Sequence, residues 1–400
     1  MTEGLLFKPQ EMGGVSLEEV IEAYFDCRHN KRNTINQLRF EMDYERECID
    51  LWREINEQRY EPRRSIAFIV EKPVKREIFA ADFRDRVVHH LIARRMMPLL
   101  EAQFHPDNYS TQKGKGTLYG IHRIEQHLRA CSEDYTRDCY IMKLDISGYF
   151  MSISKQRLYE CVKQFLEPRY PSQDLPMLLY LIRKTIFNRP EQDCVMKMPR
   201  SLWRGLPRNK SLLGTDGTCG LPIGNLTSQL LALLFLDELD HLITEEWGVP
   251  YYGRYVDDMV LIHPSRHHLL EVKERISQWL EAHGLRLHPK KMYLQHYSKG
   301  VLFIGGMILP GRKYLSRRTM GFLHKTLILC RRLADGQPVP PLKVREQIQA
   351  SMNSYFGMLQ HFDANRLTTR LIRQLPREWF RWMFIARRGH RCRMVVCPVC

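Results

Sequence analysis

The stretch that most limits what this chain can fold into is YYGRYVDDMVLIH, residues 251–263. Two short runs rich in aromatic and β-branched residues flank a tight turn, and the pattern reads as strand, turn, strand. The turn carries adjacent carboxylates, Asp257 and Asp258. An isolated Tyr-x-Asp-Asp arises by chance in roughly one chain of this length in thirty, and adjacent acids ordinarily mark a plain turn. Here Val260, Leu261 and Ile262 continue as a buried strand, and charges at such a place are costly unless something cationic binds them. Asp145 stands at a second strand end: Ile141, Met142 and Leu144 precede it, and Ser147-Gly148 breaks the run. Three strand-borne carboxylates meeting at one edge would hold two Mg²⁺ ions. Two ions about 4 Å apart stabilise the attacking and leaving oxygens of an in-line phosphoryl displacement, the chemistry of nucleotide addition.

The remaining composition agrees with that chemistry. Lys and Arg total 61 against 45 for Asp and Glu, a formal charge of +16, which suits a surface that follows phosphates, although solvated basic faces are common. At 400 residues and 44% apolar content the chain can bury sizeable cores in two or three subdomains. The eleven cysteines have no framework spacing, so free thiols are expected. No run of about 18 apolar residues occurs, and MTEGLLFKPQ lacks the order of a signal peptide. A soluble, cytoplasmic protein without a membrane partner is expected.

Along the chain, residues 16–58 read as helical, with Ser16 and Glu19 spaced as a capping box. RSIAFIVEKPVKREIFA, residues 64–80, reads as two strands about a proline-containing turn, and FRDRVVHHLIARRMMPLLEAQF as a helix. A loop, NYSTQKGKGT, precedes a helix to about residue 131, and a helix pair fills residues 155–187. Residues 188–220 read as irregular, and LTSQLLALLFLDELDHLITEEW as a mostly buried helix. After the paired acids come an amphipathic helix at 266–283 and a hairpin from LRLHPKKMYL to VLFIGGMIL. The order suits an α+β fold whose antiparallel sheet, of the split βαβ kind, is backed by helices.

With these residues in order, the chain resembles a reverse transcriptase. IMKLDISGYF matches that family's first catalytic motif, GLPIGNLTSQ its nucleotide-binding motif, YVDD its catalytic hairpin, LHPKK its lysine motif and VLFIGG its primer grip. The resemblance implies a right-hand polymerase: an N-terminal helical extension at 1–60, fingers at 61–140, a palm at 141–310 with 151–220 partly fingers or an insert, a helical thumb at 311–385, and a basic cysteine-containing tail at 386–400. It implies Asp145, Asp257 and Asp258 as metal ligands, assisted by the Ile146 carbonyl. Phe150 falls where the family places the aromatic that blocks a ribose 2′-hydroxyl, a role compatible with core packing. Arg76 matches the arginine over the incoming triphosphate, whose oxygens suit a guanidinium fork, with Lys75 beside it. Ile223, Gly224 and Gln229 fall in the nucleotide-binding motif. Lys291 resembles the lysine that serves the leaving pyrophosphate, against the alternative of a solvated lysine beside Lys290. Phe303, Ile304 and Gly305 match the primer grip, where close backbone approach favours glycine; strand packing accounts equally well for Phe303. Arg84, Arg86, Lys113 and Lys115 are expected on template or guide RNA phosphates.

One departure is informative. Many reverse transcriptases carry Gln where this chain has Ile223, and an apolar side chain polices pair geometry less strictly. Together with FRDRVVHH, QKGKGT and WRGLPRNKSLLGTDGTCGLPIG, this closely resembles the reverse transcriptases of diversity-generating retroelements. Those copy a template-repeat RNA into cDNA with errors opposite adenines, and the cDNA replaces a variable repeat. The resemblance implies dNTPs, template RNA and primer as substrates, and a small helical oligomer, the accessory variability determinant, as partner. Two rivals stay open: a retron or defence-associated enzyme with the same chemistry, and a catalytically silent RNA-binding scaffold. In the tail, His390, Cys392, Cys397 and Cys400 could bind zinc, but one CxxC is weak support, and incidental cysteines account for them better.

Overall fold

The computed structural model describes residues 14–29, 34–71, 74–334, 339–389 and 391–397. Three helices, Leu17–Arg28, Ile35–Glu41 and Tyr44–Asn56, lead into strands β1 (Ser65–Val70) and β2 (Arg76–Ala80). Helices Phe83–Gln103 and Thr117–Cys131 precede β3 (Tyr140–Asp145). The short helix Tyr149–Ser152 follows, then helices Lys155–Leu166 and Leu175–Phe187 and strand β4 (Cys194–Met196). Helix Leu226–Phe235 precedes β5 (Tyr251–Tyr255) and β6 (Asp258–His263), and helix Arg266–Ala282 leads to β7 (Tyr293–His296), β8 (Val301–Phe303), β9 (Gly306–Leu309) and β10 (Arg312–Leu315). Helices Arg317–Ala334, Leu342–Leu359 and Asn365–Arg373 come before β11 (Met383–Arg388) and β12 (Arg391–Val396). The described residues form two compact units, one from segments 1–113, 144–248 and 270–292, the other from 114–143, 249–269 and 293–400. Among the described residues no helix is long and apolar enough to cross a membrane, and the described cysteines are free thiols.

In the first unit the capping box forms as its residue types dictate. Glu19 N donates to Ser16 Oγ over 3.1 Å and Ser16 N to Glu19 Oε2 over 2.9 Å. Helix Phe83–Gln103 buries Val87, Val88, Leu91, Ile92 and Met96, while Arg94 and Arg95 on it reach Asp26 and Glu19 of the first helix. Strand β1 pairs antiparallel with β2, placing Ile69 opposite Glu77. The region read as irregular also contributes β4, which lies parallel to β1. Three residues were too few for periodicity to announce it.

The second unit holds a four-stranded sheet in the order β5-β6-β3-β7. Residues 140–143 of β3 run antiparallel to β7, Tyr140 opposite His296 and Lys143 opposite Tyr293. The expected hairpin between LRLHPKKMYL and VLFIGGMIL therefore does not form. A 3-10 turn at Tyr297–Lys299 and Gly300, at φ +67°, direct the chain into a separate sheet of order β10-β9-β8. Gly300 is obligatory there, because a Cβ would stand 2.2 Å from the Ile308 carbonyl oxygen.

The C-terminal helices bury Leu323, Leu327, Ile348, Met352, Phe356 and Trp379 in one core. Across the expected boundary between thumb and tail at residue 386, β11 and β12 pair as an antiparallel hairpin. It is clamped to helix Leu342–Leu359, whose Asn353 accepts from Met394 N (2.6 Å) and donates to Met394 O (2.8 Å). Apolar residues alternate along it, Met383 and Met394 inward, beneath an arginine content that masked the pattern. Cys392 lies in β12, while His390 and Cys400 lie outside the described residues.

Candidate functional site

The acids are presented by a two-residue turn. Tyr255 pairs with Asp258, leaving Val256 and Asp257 as the loop. Val256 adopts φ +59°, a left-handed conformation that costs a non-glycine residue on the order of 1–2 kcal/mol. The turn is held from within: Arg254 is fully buried, and its Nη1 donates to the Val256 carbonyl over 3.0 Å. Asp258 then meets an ammonium group, Lys143 Nζ at 3.0 Å from its Oδ2. The same Nζ donates to Leu302 O over 2.7 Å, and Tyr293 OH receives Leu302 N over 3.2 Å. Burial, ahead of the nearby Asp258 charge, pushes the Tyr293 phenol up.

Asp145 is the last residue of β3. Its carbonyl accepts from His288 N (2.7 Å), Ile146 forms an isolated bridge with Leu287, and Ser147 N donates to Arg286 O (2.8 Å). These contacts bring the LHPKK segment alongside, so that Lys291 Nζ lies 3.1 and 3.0 Å from the two Asp145 carboxylate oxygens. Lys143 and Asp145 are two apart in one strand and share a face.

Two of the three expected carboxylates thus each face a lysine ammonium. Among the described residues no three His, Cys, Asp or Glu side chains form a ready metal cluster. The donor set nonetheless fits divalent ions: the oxygens are hard ligands of the kind Mg²⁺ takes, and their surroundings already supply positive charge at those atoms. A bound ion would take over the role the ammonium groups fill.

The other expected positions divide by environment. Arg76 is exposed, with no ion pair among the described residues, while Lys75 Nζ donates to Arg204 O over 2.7 Å. Phe150 and Ile223 are half-buried against a core of Ala67, Phe79, Met151 and Leu212. The Ile223 carbonyl accepts from Phe79 N over 3.1 Å. Gly224, at φ +116°, lies so close to β2 that a Cβ would sit 2.8 Å from Ile78 Cγ2. Gln229 is exposed. Phe303 is fully buried, and Ile304 and Gly305 form a turn with φ +40° and +89°.

Arg84 corrects an expectation. It is 2% exposed and pairs with Glu54 and Asp85, so it serves the interior and reaches no phosphate. Burial pushes Asp85 up to about 7, against the Tyr60 hydroxyl that donates to it. Arg86 is half-buried, with Nε on the Ala81 carbonyl, Lys113 is exposed and Lys115 half-buried. Sequence reasoning missed Arg254 and Lys143. Their signal was a basic residue inside an apolar strand run, which is costly to bury without a specific partner.

The pattern of the family described as reverse transcriptase (RNA-dependent DNA polymerase) matches residues 72–308. No curated protein matches the chain. Among solved structures, apo telomerase from Candida tropicalis, truncated from its C-terminal domain, aligns with 14% identity and TM-score 0.43 over 63% of this chain and 53% of that one. Telomerase from Candida albicans in complex with a TWJ fragment of telomeric RNA aligns with 12% identity and TM-score 0.47, over 84% and 60%. The chain therefore spans little more than half the length of these structures.

Proposed function

The chain belongs to the reverse transcriptase (RNA-dependent DNA polymerase) family, and from that premise we propose that it copies a template-repeat RNA into cDNA with errors opposite adenines, for homing into a variable repeat. Asp145, Asp257 and Asp258, with the Ile146 carbonyl, would hold two Mg²⁺ ions. When bound, the ions lower the pKa of the primer 3′-hydroxyl and offset the triphosphate charge. Two observations support this reading: the family's pattern spans all three acids, residues 72–308, and Asp145 ends β3 as Asp258 begins β6.

The chain's own side chains do the rest. Arg76, exposed on β2, grips the triphosphate with its guanidinium fork, and Lys75 assists once released from the Arg204 carbonyl. Lys291 Nζ neutralises or protonates the departing pyrophosphate. Phe150 excludes a 2′-hydroxyl, and the backbone of Ile304 and Gly305 seats the primer end. Gly224 and Gln229 border the nucleotide, and Arg86, Lys113 and Lys115 track RNA phosphates. An accessory helical oligomer acts as partner.

The observation that carries the mutagenic reading is Ile223. Its backbone is tied to β2 and its side chain rests on an apolar core, so it offers a nucleotide shape and no hydrogen bond. The chain, purified with its RNA, should yield cDNA whose errors concentrate opposite adenines, and Ile223→Gln should lower them while synthesis continues. Errors spread evenly over the four template bases would refute the reading.

A further inference from the structure

Glu77 is a buried carboxylate held by neutral donors. It is 1% exposed and, among the described residues, forms no ion pair. Three neutral donors satisfy it: Trp203 Nε1 (2.7 Å) and Ser211 Oγ (2.6 Å) on Oε2, and Leu212 N (2.7 Å) on Oε1. Burying such a charge is costly, and an apolar residue would fill the place with less penalty. What the carboxylate provides is the capacity to gather three groups from a distant segment at one point.

Strand alternation places Glu77 and Phe79 on one face of β2, and Arg76 and Ile78 on the other. The exposed arginine is thus backed by an anchor for the segment between β4 and Gly220. That segment is tied down twice more, by Lys197 N donating to Ala67 O (3.0 Å) and by Lys75 Nζ donating to Arg204 O (2.7 Å). It then forms a floor. Leu212 joins the core of Ala67, Phe79 and Met151, against which Trp203, Phe150 and Ile223 all pack. The Asn209 carbonyl oxygen lies 2.7 Å from where a Gly148 Cβ would stand, and Leu221 N donates to Phe150 O over 2.8 Å.

We propose that Glu77 is a positioning residue for nucleotide selection: by holding Trp203, Ser211 and Leu212 it fixes the floor under Phe150 and Ile223, so that discrimination of sugar and base depends on it. This rests on reading Phe150 and Ile223 as residues that face the incoming nucleotide.

The test uses the full chain with its RNA, and measures kcat/KM for single insertions of a dNTP and of the corresponding rNTP. Trp203→Phe keeps a ring and deletes one donor, Ser211→Ala deletes another, and Glu77→Gln replaces one of the two acceptor oxygens with an NH2 donor, so that the three contacts cannot all persist. The dNTP:rNTP ratio should fall about tenfold in Glu77→Gln and by less in each donor variant. Phe150→Ala is the control. If it collapses the ratio while all three variants, folded by circular dichroism, lose only overall rate, Glu77 is structural and the proposal fails. If Phe150→Ala leaves the ratio unchanged, the underlying reading of Phe150 fails and takes the proposal with it. Should Glu77→Gln not fold, the two donor variants decide by the same ratio.

Discussion

Two hairpins in the second unit are built alike and put the likeness to different uses. Tyr255–Asp258 and Phe303–Gly306 each close on a two-residue loop, and each begins that loop with a β-branched residue in the left-handed region, Val256 at φ +59° and Ile304 at +40°. In the first only Val256 is left-handed, a turn whose leading position ordinarily takes glycine. In the second Gly305 is left-handed too, at +89°. The first turn is pinned by a buried guanidinium and carries two acids. The second carries none: around Gly305 there is open space, and at Gly306 a Cβ would stand 2.7 Å from Ile121 Cδ1. Strain of this kind persists where surroundings over-determine it. One turn bears acidic side chains, the other leaves room where a Gly305 side chain would stand, and Lys143 touches both hairpins through Asp258 and Leu302 O.

The contrast can be broken at its acid end first. Asp258→Asn should cut primer extension on the order of 10³-fold while primer–template binding, measured by anisotropy, persists; retained extension would remove the distinction between the hairpins. Arg254→Lys should lower kcat on the order of 10²-fold through misplacement of the acids, and adding Val256→Gly should recover part of the loss, since glycine holds the turn unaided. Equal losses with and without the glycine would show that the pin has another purpose. Lys143→Met should lower the half-saturating Mg²⁺ concentration, read by calorimetry, about two- to fivefold, because a partly buried counter-charge no longer competes. Ile304→Gly should raise the melting temperature by about 1 °C, relieving on the order of 1 kcal/mol, and weaken primer binding; an unchanged melting temperature would mean the second turn stores no strain.

Much of this geometry was legible beforehand where a pattern repeats. The alternation around YVDD, the break after Asp145 and the capping pair Ser16 and Glu19 each have a local cause, and each appears in the fold. What escaped depends on partners far away in the chain. β7 could not be assigned to β3 in place of β8 from apolar runs alone, since either strand would bury them. Arg84 reads as one more basic residue until Glu54 and Asp85 close around it. The arginines of β11 and β12 hid inward methionines, and β4 is too short to show a period. Lys143, Arg254 and Glu77 share one trait, a charge inside an apolar run, and the partner that makes each tolerable is not adjacent in sequence.

The three donors that gather on Glu77 have a consequence in time. The farthest lies 135 residues downstream, and β4, which completes the sheet with β1 and β2, comes nearly as late. A ribosome adding about 5–20 residues per second needs roughly 7–27 s to make that stretch. Through this interval β1 and β2 are a bare pair, one edge unfilled and one acid unsatisfied, a state prone to pairing with other chains. Completing the nascent sheet early would require shortening the very insert that the finished fold stands upon.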